Sequence, residues 1–310
     1  MIRILTLLIS LLLVGWSCGP KPQPVPPAPI ASGGSVSTGG SLAIGGIVAA
    51  AGMPTPWTAA GTAPIAEDWP ACEPPTKKAR PVVRHKLGRH RGAITKRAKA
   101  SYTVLSLPDA AWPPLLDSLN QRDVGACTGF AVLQCRLTTR WLWSGTSDLE
   151  ALDLIALGIY AGATKRDSFA GSWPPNDTGS TGEFALDEAV AQGYFSGYAA
   201  VTSFEELQYA LQHQPCITGT DWPEGFFAPD RCGAVKRTGA IAGGHEWVIE
   251  GIRYETKQIL GRTSWGDFGA KWRKKSGFFW VTFGDFNALL DAGGDIHCPR
   301  TSEAEMTYGP

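Results

Sequence analysis

The sequence predicts an α+β fold of two lobes, a helical one followed by one built on an antiparallel sheet or barrel, with a cleft between them. Helically spaced apolar residues fill the chain from about residue 126 to 214, and apolar runs of strand length fill it from 216 to 282. The two sets meet at Gln214-Pro215, where proline interrupts helix. Helices first and strands after is the order of a segregated α+β domain. The groove between such lobes is a usual place for a site.

Order is expected to begin near Ser101, with Val104-Leu105-Ser106-Leu107-Pro108 as an extended lead-in. Residues 126–143 carry Phe130, Ala131, Leu133, Leu137, Trp141 and Leu142 mostly on one helical face. A second helix is expected over 149–163, followed by a Gly/Pro/Asn-rich loop over 168–181. A third runs over 184–193 and ends at Gly193. Ser203-Phe204-Glu205-Glu206 has the capping-box spacing that opens a fourth. Strands are expected over 216–220, 246–252, 259–265 and 277–282, all rich in β-branched or aromatic residues.

The N-terminal third differs in composition. Arg3 precedes an apolar run over residues 4–14, too short to span a bilayer and of the length of an export signal. Residues 1–18 are therefore expected to be a signal peptide. Gly15-Trp16-Ser17-Cys18 resembles a lipoprotein cleavage site, so Cys18 is either a lipid-anchoring residue or incidental. Residues 19–76 are rich in Pro, Gly, Ala and Ser and read as a disordered linker. Residues 77–100 form a basic arm with ten Lys and Arg and no acid, whereas the chain beyond residue 100 carries 16 Lys and Arg against 25 Asp and Glu. The formal net charge of zero thus averages a basic arm and an acidic body. The arm is a solvated tether or a latch onto the acidic body or anionic lipid. It lacks interleaved aromatics, so no specific nucleic-acid partner is expected.

Chemistry concentrates at two places in residues 101–310. Gln121-Arg122-Asp123-Val124-Gly125-Ala126-Cys127 ends a Gly-containing turn at the start of an apolar helix. Unpaired N–H groups and the helix dipole favour a thiolate there, and the thiolate is the form that attacks a carbonyl. The amide of Gln121 and the N–H of Cys127 are expected to form an oxyanion hole. Gly243-Gly244-His245-Glu246-Trp247-Val248 brings a histidine into a strand behind two glycines, which suits His245 to act as general base and acid. Ala242, Gly243 and Gly244 suggest an open pocket beside it, and the acidic body suggests a preference for basic peptides.

Together with Thr263-Ser264-Trp265-Gly266 and the strand opened by Gly277-Phe278-Phe279, these segments resemble the papain-like cysteine peptidases, as a bacterial or phage-type member. The family's Gln, five residues, Cys spacing is present, with Phe130 and Ala131 in register and Thr128 where Trp is common. The resemblance implies Cys127 as nucleophile, His245 as its acid–base partner, Gln121 in the oxyanion hole and Trp265 as a shield. It places Thr263 where the family carries the Asn that orients the imidazole. It also implies Gly179 as a backbone partner of a peptide substrate, while Gly244 is expected to line the substrate pocket beside His245. Val124 stands where many members carry a disulfide cysteine. No cofactor or metal is implied, and a monomer acting on peptides or proteins is expected.

Three rival functions fit parts of the pattern: a catalytically impaired papain-like binding domain, which Thr263 favours, a Cys–His cell-wall endopeptidase, and a surface or virion protein whose tail tethers a scaffold. Seven cysteines leave at least one unpaired if Cys18 and Cys127 are otherwise engaged. Cys216 with Cys232 is the expected bridge, in an exported protein. His213 is expected near a helix end and His297-Cys298 in a terminal loop. The basic arm lacks the long helical pattern of the family's usual prosegment.

Overall fold

The computed structural model describes residues 69–70, 84–89, 102–141 and 143–301. The expected signal peptide and Cys18 lie outside them, as do most of the linker and much of the arm.

In chain order the elements are β1 (Ala110–Ala111), α1 (Cys127–Arg136), α2 (Leu149–Arg166), α3 (Gly182–Ala191), β2 (Gly197–Ala200), α4 (Phe204–Leu211) and β3 (Cys216–Pro223). A 3-10 turn (Glu224–Phe227) follows. Then come β4 (Ile241–Arg253), β5 (Gln258–Arg262), β6 (Ala270–Trp272), β7 (Lys275–Thr282), α5 (Phe283–Asp291) and β8 (Asp295–Arg300). The strands form one antiparallel sheet in the order β2-β8-β3-β4-β5-β7-β6, with β1 added along β4. Among the described residues this sheet is open, ending at β2 and β6, rather than closed into a barrel.

The long strand β4 joins the two lobes. Its side chains alternate between faces, as the pleat requires. Trp247 and Ile249 enter a core with Trp222, Phe279 and Phe286. Val248 faces the other way, with Ile217 of β3, into the helical core of Phe130, Leu133, Ile159 and Leu186. Both faces are thus covered, which explains why 246–252 reads as a nearly continuous apolar run. Helix α1 is central to its lobe, with Cys127 to Cys135 all buried. Gly129 permits its contact with α2, since a Cβ there would strike the backbone of Ala156 and Tyr160.

Several boundaries differ from expectation. The first helix stops at Arg136 instead of reaching Trp143, because the next residues pair with the lead-in chain. Leu115 N–H donates to Leu137 O at 2.9 Å, and Thr139 N–H to Pro113 O at 2.8 Å. At α4, Ser203 caps Glu206 N–H as the box predicts, but Glu206 reaches back to Thr202 rather than to Ser203. The Cys216–Cys232 bridge is corrected to Cys216–Cys298. His297 and Cys298 lie in β8, not in a loop. The register that sets Ile217 opposite His297 sets Cys216 opposite Cys298, with Cα atoms 4.5 Å apart. Cys232 is also disulfide-bonded, though not to Cys216, and Cys135 is a buried free thiol. Contacts also begin before residue 101: Trp69 stacks on Trp272 and meets Trp280 at a tilt, with Arg253 over its ring, and residues 84–89 dock on the body.

Glu250 on β4 pairs with Arg262 on β5 at 2.8 Å, both buried. Arg262 also donates to Gln134 O at 2.8 Å, tying the sheet to the end of α1. Burial lifts Glu250 to about 7 against the opposing pull of Arg262. Removing one member strands the other in an apolar core. Arg262→Ala should cost about 3–5 kcal/mol of unfolding free energy. The paired change Arg262→Met with Glu250→Gln should cost less, a comparison read from denaturant midpoints.

Candidate active site

The turn before α1 is held from both sides. The Asp177 carboxylate accepts from Gly125 N–H at 2.9 Å and from Tyr160 Oη–H at 2.8 Å. Gly125 has to be glycine, since a Cβ would press on Asp177 and on Gly88. Residues 119–121 pair with the Thr263-Ser264-Trp265-Gly266 segment: Gln121 N–H donates to Ser264 O at 2.9 Å and Gly266 N–H to Leu119 O at 3.1 Å. Helices α2 to α5 carry side-chain caps from Asp148, Thr181, Ser203 and Thr282. In contrast, α1 begins after Ala126, which has no capping side chain. The positive end of α1 is therefore left to Cys127.

His245 enters from β4 and is fully buried. Its Nε2 lies 2.7 Å from Thr263 Oγ1, and its Nδ1 has no hydrogen-bond partner. Trp265 stacks on the ring with centroids 4.2 Å apart, and Trp222 meets it edge-on at 4.8 Å. Thr263 is clamped in turn: its N–H donates to Gly277 O at 3.0 Å, and its carbonyl accepts from Ser118 Oγ–H at 2.6 Å. Helix α1 packs against β4, and the Cys127 thiol lies near Glu246, the residue after His245, whose backbone and carboxylate both act on its ionisation. The nucleophile and base expected from sequence are thus brought to one stretch of β4.

The chain itself runs through this place. Arg89 N–H donates to Gly244 O at 3.1 Å, and Ser180 N–H donates to Gly88 O at 2.9 Å. Gly88 packs on the turn before Cys127 so closely that a Cβ there would collide with the carbonyl of Gly125. Gln121 Nε2 donates to Lys86 O at 3.1 Å and to Val124 O at 2.8 Å, while its Oε1 accepts from Ser264 Oγ–H at 2.6 Å. His85 stacks on Trp265 at 4.5 Å. Lys86 reaches Asp177 at 3.5 Å, and Arg84 reaches Glu224 at 2.8 Å. The basic arm is, over residues 84–89, a latch onto the acidic body, seated against the candidate catalytic groups.

This arrangement holds the pair neutral. Burial pushes the Cys127 thiol up to about 12; the N–H groups of Glu246 and Gly88 pull the other way, while the Glu246 carboxylate adds to the rise. Burial also drives His245 well below the ordinary imidazole value, assisted by His85. The thiolate expected at the start of α1 is therefore not the ground state while residues 84–89 are seated. Desolvation outweighs the helix end.

Gln121, Gly244, Thr263 and Trp265 all lie at this site. With residues 84–89 seated, Gly179 does not face the cleft with a free N–H. Its N–H is taken by Tyr160 Oη at 2.8 Å, and the next residue, Ser180, pairs with the strand in the cleft. Sequence reasoning missed Arg89, whose guanidinium is fully buried between Glu246 and Asp295. An acid inside the apolar run 246–252 was the available signal for Glu246. Nothing local marked its partners, which lie on distant segments.

No family model and no curated protein matches the sequence. Among solved structures, the chain is similar to xylellain, a cysteine protease from Xylella fastidiosa, with TM-score 0.52 and 15% identity over 71% of this chain and 98% of that one. Weaker likenesses include procathepsin B of Trypanosoma congolense, at TM-score 0.46 and 11% identity over 70% and 87% of the two chains. The ragweed Amb a 11 protease in its proform matches at TM-score 0.43 and 16% identity over 61% and 62%. The fold is papain-like.

Proposed function

We propose that the chain is an exported cysteine peptidase whose cleft is closed by its own residues 84–89. The observation that carries this reading is the imidazole of His245, fixed at Nε2 by Thr263 and free at Nδ1, one residue along β4 from the Glu246 that neighbours a thiol at an uncapped helix start. In the neutral ring that a base requires, Nε2 bears the proton and donates to Thr263 Oγ1. Nδ1 then takes the proton of Cys127, and the sulfur attacks the peptide carbonyl carbon. Gln121 Nε2, which donates to the Lys86 carbonyl in the closed form, donates to the oxyanion. The C–N bond breaks as the imidazolium protonates the leaving amine. Water, deprotonated by the same ring, then cleaves the thioester to a carboxylic acid and restores the thiol. Trp265, stacked on His245, keeps this exchange away from water. The Cys216–Cys298 bridge supports an oxidising compartment, and the sequence around Cys18 supports lipid anchoring there.

A silent binding domain is the second reading, favoured by the protonated thiol and by Thr263 in the orienting position. Peptide hydrolysis and epoxide labelling of the full chain separate the two. Hydrolysis that disappears in Cys127→Ala supports the peptidase. A full chain, with residues 84–89 dislodged, that labels no faster than an ordinary thiol and cleaves no peptide sinks it.

A further inference from the structure

Arg89 shows what the cleft beside the nucleophile is built to hold. Its backbone follows Gly88, which packs on Gly125 two residues before Cys127, and its side chain leaves the main chain for a fully enclosed pocket. There Nη2 bonds Asp295, and Nε lies 3.6 Å from Glu246 Oε2. Asp295 is oriented by Gly219 N–H, which donates to its Oδ1 at 3.0 Å. Glu246 projects over the first residue of α3, where the positive helix end favours a carboxylate. Two glycines make the room. A Cβ on Gly219 would strike the Arg89 guanidinium, and a Cβ on Gly182 would strike the Glu246 carboxylate.

The pocket is over-acidic for its present occupant. Both Glu246 oxygens lack a hydrogen-bond partner, as do Nε and Nη1 of Arg89, all of them buried. Burial and the neighbouring Asp295 raise Glu246 well above the ordinary carboxylate range, and only Arg89 opposes them. An emptied pocket therefore holds two buried carboxylates whose repulsion a cation relieves. A guanidinium, planar and forked, spans two carboxylates on different strands, whereas an ammonium acts as a single point charge.

Resting on the peptidase reading above, we propose that Glu246 and Asp295 form an arginine-selecting subsite next to Cys127, which residues 84–89 occupy from within and which substrates fill with an arginine side chain once that segment leaves. The acidic-body preference for basic peptides thereby becomes a preference for one residue type in one pocket.

The test uses the full chain carrying Arg89→Ala, with Gly88→Val as a second variant that dislodges the strand while keeping its charges. Fluorogenic peptides scanned with arginine, lysine, citrulline and leucine near the cleaved bond are compared by kcat/KM. Binding of the hexapeptide Arg-His-Lys-Leu-Gly-Arg is compared with its C-terminal citrulline analogue by calorimetry on the same proteins. Arginine should exceed citrulline, its neutral isostere, by roughly tenfold or more in one subsite and in binding. Glu246→Gln or Asp295→Asn should collapse that ratio. Hydrolysis with arginine and citrulline equal overturns the subsite and leaves the peptidase standing. Selective hexapeptide binding without hydrolysis of any peptide overturns the peptidase reading and leaves a guanidinium pocket. Binding that ignores the citrulline exchange overturns the pocket.

Discussion

Gly88→Val should convert a slow-labelling protein into a fast one. A side chain at residue 88 has no space against the Gly125 carbonyl, so the strand lifts and water reaches Cys127. In the closed form the thiol sits at about 12, chiefly through burial. At neutral pH its thiolate fraction is then minute, whereas an ordinary thiol of pKa about 8.5 is a few per cent ionised. Iodoacetamide labelling near pH 7 should rise by at least about a hundredfold on this basis. The sign with pH follows. Lifting the strand removes both the burial and the His85 charge that depress His245, so thiolate and imidazolium can coexist. Labelling of Gly88→Val should therefore persist to mildly acidic pH, while labelling of the unmodified chain falls steadily as pH drops. Equal labelling of the two proteins across that range would show that residues 84–89 do not guard the thiol. Circular dichroism and the unfolding midpoint of Gly88→Val establish that the rise reflects opening of the cleft and not loss of fold.

His245→Ala, made in that opened background, should lower kcat/KM for peptide hydrolysis by about 10²–10⁴, the usual contribution of a positioned acid–base group. It should also abolish the acidic arm of the labelling profile, because the thiolate loses its imidazolium partner. Thr263→Val should show a smaller loss in kcat than His245→Ala. In the proposed mechanism its hydroxyl, 2.7 Å from Nε2, orients the ring but takes no part in proton transfer. Thr263→Asn should recover or exceed the activity of the opened parent, since an amide oxygen is a firmer acceptor for the Nε2 proton. A fully active His245→Ala would remove the imidazole from the chemistry altogether. That result would turn attention to another base near β4.

Much of the fold was legible because its signals are local. Helical spacing, the Ser203 cap and the β-branched run after Trp247 each express backbone and burial preferences over a few residues. The later elements escaped for a reason of the same kind. Thr282-Phe283-Gly284-Asp285 carries a usable cap, with Thr282 accepting from Asp285 N–H at 3.1 Å. It follows a strand with no intervening turn signal, so α5 was hidden by its neighbour. The reading of β8 as loop, and of Cys232 as partner to Cys216, failed because strand register is a long-range property. Only the pairing of β3 with β8 sets Cys216 across from Cys298.

The sequence by itself determined the candidate groups and their setting: a thiol opening a buried helix, an imidazole in a buried strand, and the Thr263-Ser264-Trp265-Gly266 segment that meets the imidazole. Those depend on residue type and short spacing. Tertiary structure alone decided the state of that pair and the specificity proposed for it. The charge on Cys127 depends on water being excluded by a segment about forty residues upstream. The pocket for Arg89 depends on carboxylates from β4 and β8 converging around two glycines. Solvation and charge pairing act through space, so no window of sequence contains them.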